Sequence, residues 1–157
     1  MTGFTPAGLN HNEARTPEQK TLMAQIEKDG VCPFCEAKFR QYHPKPILKE
    51  TPSWFFTENM SPYEGATQHY IFVYKTAHIR FPSELTLEAR IELFDLIDWA
   101  VAEYKIPGGS FFMRFGAGGY NGSSVEHLHG QLISGVEKGD GTEGLKVKLA
   151  YKNSPGT

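Results

Sequence analysis

A chain of 157 residues with 16 Lys+Arg against 18 Asp+Glu has room for one domain with a workable core, and its formal charge of −2 lacks the basic excess of a dedicated nucleic-acid binder. A hydrophobic fraction of 39% and a charged fraction of 22% are those of an ordinary soluble globular protein, with a generous 13% of aromatic residues. No apolar run approaches the roughly 20 residues of a membrane span, the polar start from Met1 to Arg15 has no export segment, and two cysteines make no secreted disulfide framework, so the expected location is the cytoplasm.

Residues 1–15 show no periodicity and read as a flexible N-terminal arm, with residues 16–157 as a single domain. Thr16 followed by Pro17 predicts a helix start, Leu22, Met23 and Ile26 its inward face, and Gly30 its stop. The Pro-rich segment Tyr42 to Pro52 reads as a loop. Trp54–Glu58 and His69–Tyr74 read as strands from their aromatic and β-branched content. Thr86–Lys105 predicts the longest helix, with Leu87, Ile91, Phe94, Ile97, Val101 and Tyr104 recurring every three to four residues, as core packing or a dimer surface. Strands follow at Phe111–Phe115, at the His-Leu-His run and at Lys146–Tyr151. Together these elements predict an α+β domain with a largely antiparallel five-stranded sheet, one long helix and a short N-terminal helix.

Three segments carry chemistry. Cys32-Pro33-Phe34-Cys35 has the spacing of one zinc knuckle, which needs two further ligands, with histidines the natural candidates. The same spacing also suits a redox pair or inert packing thiols, although the strand-to-helix setting of a redox site is missing. The glycine loop from Gly116 to Gly122, followed by Ser123 and Ser124, offers backbone N–H groups and hydroxyls to an anion without matching a Walker loop or a dinucleotide fingerprint. Beyond it, His127, His129 and Gln131 alternate in a β-prone run, which puts all three side chains on one face. A neutral imidazole oriented through its second nitrogen can attack phosphorus, and His129 has that possibility. His127 and His129 on one open catalytic zinc would instead make a metal hydrolase.

The run Gly122-Ser123-Ser124-Val125-Glu126-His127-Leu128-His129-Gly130-Gln131 resembles the signature of the histidine triad superfamily, in the form where glutamine replaces the third histidine. That form is typical of its nucleotidyltransferase branch, which includes galactose-1-phosphate uridylyltransferase and diadenosine tetraphosphate phosphorylases. Upstream, Thr57-Glu58-Asn59-Met60-Ser61-Pro62 and His69 to His78 resemble the family's ribose-site strand, turn and second strand. The resemblance implies a histidine-triad-like fold and a nucleotidyl-histidine on His129, with Gln131 on the phosphate of that intermediate. It places Asn59 at the ribose, Gly122, Ser123 and Ser124 at the phosphate, and His69 near the centre. It also implies a structural zinc on Cys32, Cys35, His78 and His127. The implied partners are a nucleotide substrate, a phosphate-bearing acceptor and a second copy of the chain in a homodimer, with no nucleic acid and no membrane. The sequence departs from the family in three places. It holds one unit where the uridylyltransferases hold two, its Pro62-to-His69 connection is about two residues longer than in short members, and Glu126 stands where an aromatic or apolar residue is frequent. The alternatives are a histidine triad nucleotide hydrolase with the same nucleophile and a non-catalytic, zinc-stabilised nucleotide-binding module.

Overall fold

Thr16 caps the first helix, α1 (Pro17–Asp29), by accepting a hydrogen bond from Gln19 N–H, and Gly30 ends it in a left-handed conformation at φ 67° that an L side chain rarely adopts. The structure, a computed structural model, describes residues 9–155. A second helix, α2 (Glu36–Tyr42), starts directly after the cysteine knuckle, followed by the strands β1 (Ile47–Glu50), β2 (Trp54–Glu58) and β3 (Gln68–Tyr74). The long helix α3 (Leu87–Glu103) leads to β4 (Ser110–Arg114), and the glycine loop leads to β5 (His129–Ser134). The sheet order is β1-β2-β3-β5-β4 and every pairing is antiparallel, so the expected α+β architecture with five strands is what the chain adopts. No helix among the described residues is long and apolar enough to cross a membrane.

The two faces of the sheet have different tasks. Trp54, Phe56, Tyr70, Phe72 and Leu132 pack under α3 and form the main core. The opposite face carries Phe55, Ile71 and Val73, covered by Phe39 of α2. On that second face, antiparallel register aligns Arg114, His129 and Val73 in one row and Phe112, Gln131 and Ile71 in the next. Side chains in such rows are neighbours. Gly130, on the α3 side, has Phe111 lying across it: a Cβ there would sit 2.5 Å from Phe111 Cζ.

Several sequence expectations are corrected. The loop expected over Tyr42–Pro52 contains β1, a four-residue edge strand whose signal Pro44 and Pro46 obscure. The strand expected over Lys146–Tyr151 does not form. Its alternating residues find no sheet edge, Leu149 and Tyr151 stay exposed, and the segment crosses the glycine loop instead. The count of five therefore holds with a different member. The described part of the expected arm, residues 9–15, is packed: Leu9 is fully buried and bridges Val125, and Asn10 N–H donates to Ser124 O at 2.9 Å. Residues 1–8 lie outside the described residues.

The inward face of α3 is also not the one its large apolar residues predict. Ala89, Leu93, Leu96 and Ala100 are buried, while Leu87, Ile91, Phe94 and Val101 are 67%, 54%, 66% and 38% exposed. The sheet already presents Trp54, Phe56 and Tyr70, so alanines are needed where the helix meets them. Trp54 Nε1–H donates to Ala89 O at 2.8 Å at that contact.

Candidate functional site

The rows of β5 and β4 open onto a cleft under α1 and α2, with about 750 Å³ of free space including its mouth. Its apolar wall includes Leu22, Met23, Ile26 and Phe34, and its polar lining includes Asn59, Ser124, His129 and Gln131. His129 is 5% exposed, and its Nδ1–H donates to the carbonyl of His127 at 2.6 Å. That bond fixes the tautomer, so Nε2 carries the lone pair and has no protein partner among the described residues. Burial pulls the His129 pKa down to about 4, against the raising effect of its bond to His127 O, so the imidazole is neutral at neutral pH. Phe34, from inside the cysteine knuckle, packs edge-on against the His129 ring with centroids 5.1 Å apart. A neutral, oriented and buried imidazole is the form that acts as a nucleophile.

Gln131 is oriented by a chain of bonds that starts in the β2–β3 turn. Tyr63 N–H donates to His69 Nδ1 at 3.2 Å, so in the neutral ring the hydrogen sits on Nε2 and donates to Gln131 Oε1 at 2.7 Å. Gln131 is left with its amide N–H groups to offer, next to His129. Burial lowers the His69 pKa to about 4, the largest of its influences, which keeps this arrangement neutral. Asn59 lines the cleft beside His69, but its oxygen is engaged by Ser61 N–H at 2.8 Å and approached by Arg15 Nη2 at 3.4 Å. That oxygen is thus already occupied, and Nδ2 lies 3.1 Å from His69 Nε2.

The residues expected at a phosphate separate. Gly122 and Ser124 line the cleft. Ser123 does not present its hydroxyl: it is buried and donates to Val125 O at 2.6 Å, an internal turn contact that shapes the loop. Glu126, the unusual residue of the run, anchors the loop by accepting from Gly118 N–H at 2.9 Å while its other oxygen lies 3.2 Å from Arg80 Nη2.

His127 does not share in the cleft chemistry. It precedes β5 and turns Nδ1 toward the cysteines, 3.4 Å from Cys32 Sγ and 3.8 Å from Cys35 Sγ, while His78 Nδ1 lies 3.6 Å from Cys35 Sγ. Cys32, Cys35, His78 and His127 offer four ligand atoms within 4.8 Å of one another, a group that can hold a metal ion. The Nε2–H of His127 donates to Tyr74 O at 2.5 Å, which frees Nδ1 as a ligand in the way metal-binding histidines are usually held. Burial raises the Cys32 thiol to about 12, so without a cation Cys32 stays protonated. His129 is not among these ligands, which removes the arrangement with both imidazoles on one open metal.

Sequence reasoning missed Arg114, Arg15 and Tyr63. Arg114 is only 5% exposed and lies in the row of His129. Its position at an alternate residue of β4 was a usable signal only once β4 was known to neighbour β5.

No family model matches the chain, and no curated protein is significantly similar to it. Solved structures are similar in fold. A hypothetical histidine triad nucleotide-binding protein from Sulfolobus tokodaii aligns with TM-score 0.53 at 19% identity, covering 77% of this chain and 81% of that one. A Hit-like protein aligns with TM-score 0.52 at 22% identity, covering 64% and 96%. A histidine triad protein from Clostridium difficile aligns with TM-score 0.50 at 18% identity, covering 64% and 88%. The chain has the histidine triad fold.

Proposed function

We propose that this protein is a nucleotidyltransferase or phosphorylase that works on a nucleotide sugar or dinucleoside polyphosphate through a covalent nucleotidyl-histidine on His129. The observation that carries the reading is the His129 imidazole, neutral, held through Nδ1, and bare at Nε2 beside the free amide N–H groups of Gln131. Nε2 attacks the α-phosphorus, the P–O bond to the leaving group breaks, and the leaving oxygen takes up a proton from solvent. An acceptor phosphate oxygen then attacks the same phosphorus, the P–N bond breaks, and His129 returns to its neutral state. The Gln131 amide supports the anionic oxygens, and Gly122 and Ser124 face the phosphate while Asn59 faces the ribose. Because an amide does not titrate near neutral pH, Gln131 gives little help in activating water, which favours transfer over hydrolysis.

Cys32, Cys35, His78 and His127 hold a structural zinc in this reading. Zn–S bonds of about 2.3 Å and Zn–N bonds of about 2.0–2.1 Å at tetrahedral angles separate sulfur and nitrogen by about 3.6 Å, and the three sulfur–nitrogen separations here are 3.4, 3.6 and 3.8 Å. The metal fixes His127, and so the carbonyl on which His129 is oriented. The exposed apolar face of α3 is the surface through which two copies form a homodimer.

The test is incubation with radiolabelled nucleotide sugars and dinucleoside polyphosphates, with and without inorganic phosphate, together with a mass-spectrometric search for an adduct on His129. Turnover should require the acceptor and the adduct should vanish in His129→Gly. Equal turnover without acceptor overturns transfer in favour of hydrolysis, and full turnover by His129→Gly overturns the nucleophile.

A further inference from the structure

Tyr63 lies in the lengthened β2–β3 connection and gathers more of the site than its place in a turn predicts. Its ring stacks on His69 with centroids 5.3 Å apart, and Arg15 sits over the same ring at 4.5 Å. Its hydroxyl accepts from Arg114 Nη2 at 2.7 Å. Two guanidinium groups thus meet at one tyrosine, Arg15 also donating to Ser61 O from Nε at 2.9 Å and from Nη2, and neither has a carboxylate within ion-pair distance among the described residues. Glu13, whose charge reaches both, is committed to Lys148 at 2.8 Å and to the Tyr151 hydroxyl.

Arg114 is the more telling of the two. Its other partners are the carbonyls of Asn121 and, at 2.8 Å, Lys148, so among the described residues every acceptor is neutral and two of its five N–H groups have none. A buried arginine is ordinarily paired. The cleft that Arg114 and Arg15 line includes no aspartate or glutamate. Like charges this close repel, and an anion placed between them relieves both.

We propose that Arg114 and Arg15, mounted on Tyr63, form an anion subsite beside His129 that takes the second phosphate of a ligand whose first phosphate faces His129. The cleft then selects phosphoanhydride-linked ligands over monophosphates. This rests on the nucleotide reading of the cleft and deepens it, because it assigns the preference to residues outside the histidine-glutamine run. Arg114 occupies the same cross-strand row as His129, so an anion on its free N–H groups lies adjacent to the reacting phosphorus.

The experiment is calorimetric titration of the full chain with AMP against ADP and UMP against UDP, and with inorganic pyrophosphate. The wild-type protein should bind the diphosphate about tenfold or more tightly than the monophosphate of the same base, the scale of one charge-assisted hydrogen bond. Arg114→Gln and Arg15→Gln should each cut that preference to about threefold or less while monophosphate affinity changes by less than about threefold, and Arg114→Lys should restore part of it. Because Arg114 also ties the glycine loop to residue 148, its variant can lose the fold; Arg15, exposed at the rim, then decides. Monophosphate binding with no diphosphate preference in the wild type overturns the subsite and leaves the nucleotide reading standing, as does a preference that survives the folded variants. If no nucleotide binds, the nucleotide reading fails instead and pyrophosphate decides: binding weakened tenfold or more by the arginine substitutions supports the subsite, and no binding overturns it.

Discussion

Gly130→Ala should damage both stability and chemistry, for a reason visible only in the packing. Gly130 stands between His129 and Gln131 but faces α3, where an added Cβ would meet Phe111 Cζ at 2.5 Å and Cε2 at 2.6 Å. Carbon atoms at rest sit about 3.5–4.0 Å apart, so the ring or the strand must move by about 1 Å. Phe111 is not free to swing, since it packs edge-on against Phe72 with centroids 5.5 Å apart and is partly buried. Overpacking of this kind costs about 1–3 kcal/mol, which in a chain of this size lowers Tm by about 2–4 °C per kcal/mol. If β5 moves in place of the ring, His129 and Gln131 move with it, and a displacement near 1 Å can cost about a hundredfold in rate. Thermal melts and the rate of adduct formation read the two effects separately. Phe111→Leu in the Gly130→Ala background should recover most of both losses, since it removes the ring edge the Cβ strikes. A Gly130→Ala protein that melts with the wild type, or a double variant no better than the single, would refute the reasoning.

Cys32→Ser should lower bound zinc and Tm together, whereas His129→Ala should keep its metal; elemental analysis of both variants checks this, and unchanged zinc in Cys32→Ser would sink the ligand assignment. His69 gives an acid-side prediction: its folded pKa is about 4 against an ordinary 6.5. Above pH 6.5 neither state binds the proton, and between 6.5 and 4 the unfolded chain takes it up while the folded one does not, so stability falls as pH falls. A gap of about 2.5 pH units at about 1.36 kcal/mol each sets a loss of about 3 kcal/mol from His69; His43, His127 and His129 are also lowered to about 4 and add to the slope, so in urea unfolding near pH 7 and pH 4 His69→Asn should remove only the His69 share of it. Phe94→Glu, on the exposed face of α3, should shift the proposed homodimer to monomer in sedimentation velocity without lowering the Tm of the monomer by more than about 0.5 kcal/mol equivalent; a wild-type chain that is already monomeric at high concentration removes the dimer.

What was legible in the sequence is what local chemistry decides. Thr16 and Gly30 mark the ends of α1 because caps are made within one turn of the chain, and β2 and the start of α3 follow from composition and capping in the same way. The facing of α3 was not legible, since apolar residues lie on both sides of the helix and only the aromatic bulk of the sheet selects the side with Ala89 and Ala100. The site divides along the same line. The alternation of His127, His129 and Gln131 was visible, but the different directions taken by the two imidazoles come from Cys32, 95 residues away in the chain, and from His127's own carbonyl. Gln131 depends on His69, 62 residues distant, and Arg114 on Tyr63, 51 residues distant. No spacing rule reaches that far. For the cysteines and histidines a family resemblance pointed to the cluster that the fold brings together. Arg114 and Tyr63 belong to no part of that motif, and it took the order β3-β5-β4 to bring them beside the histidine. If the arginine pair sets the preference for a second phosphate, then ligand choice in this chain lies in its non-local contacts, while the imidazole proposed to react is written in the local pattern.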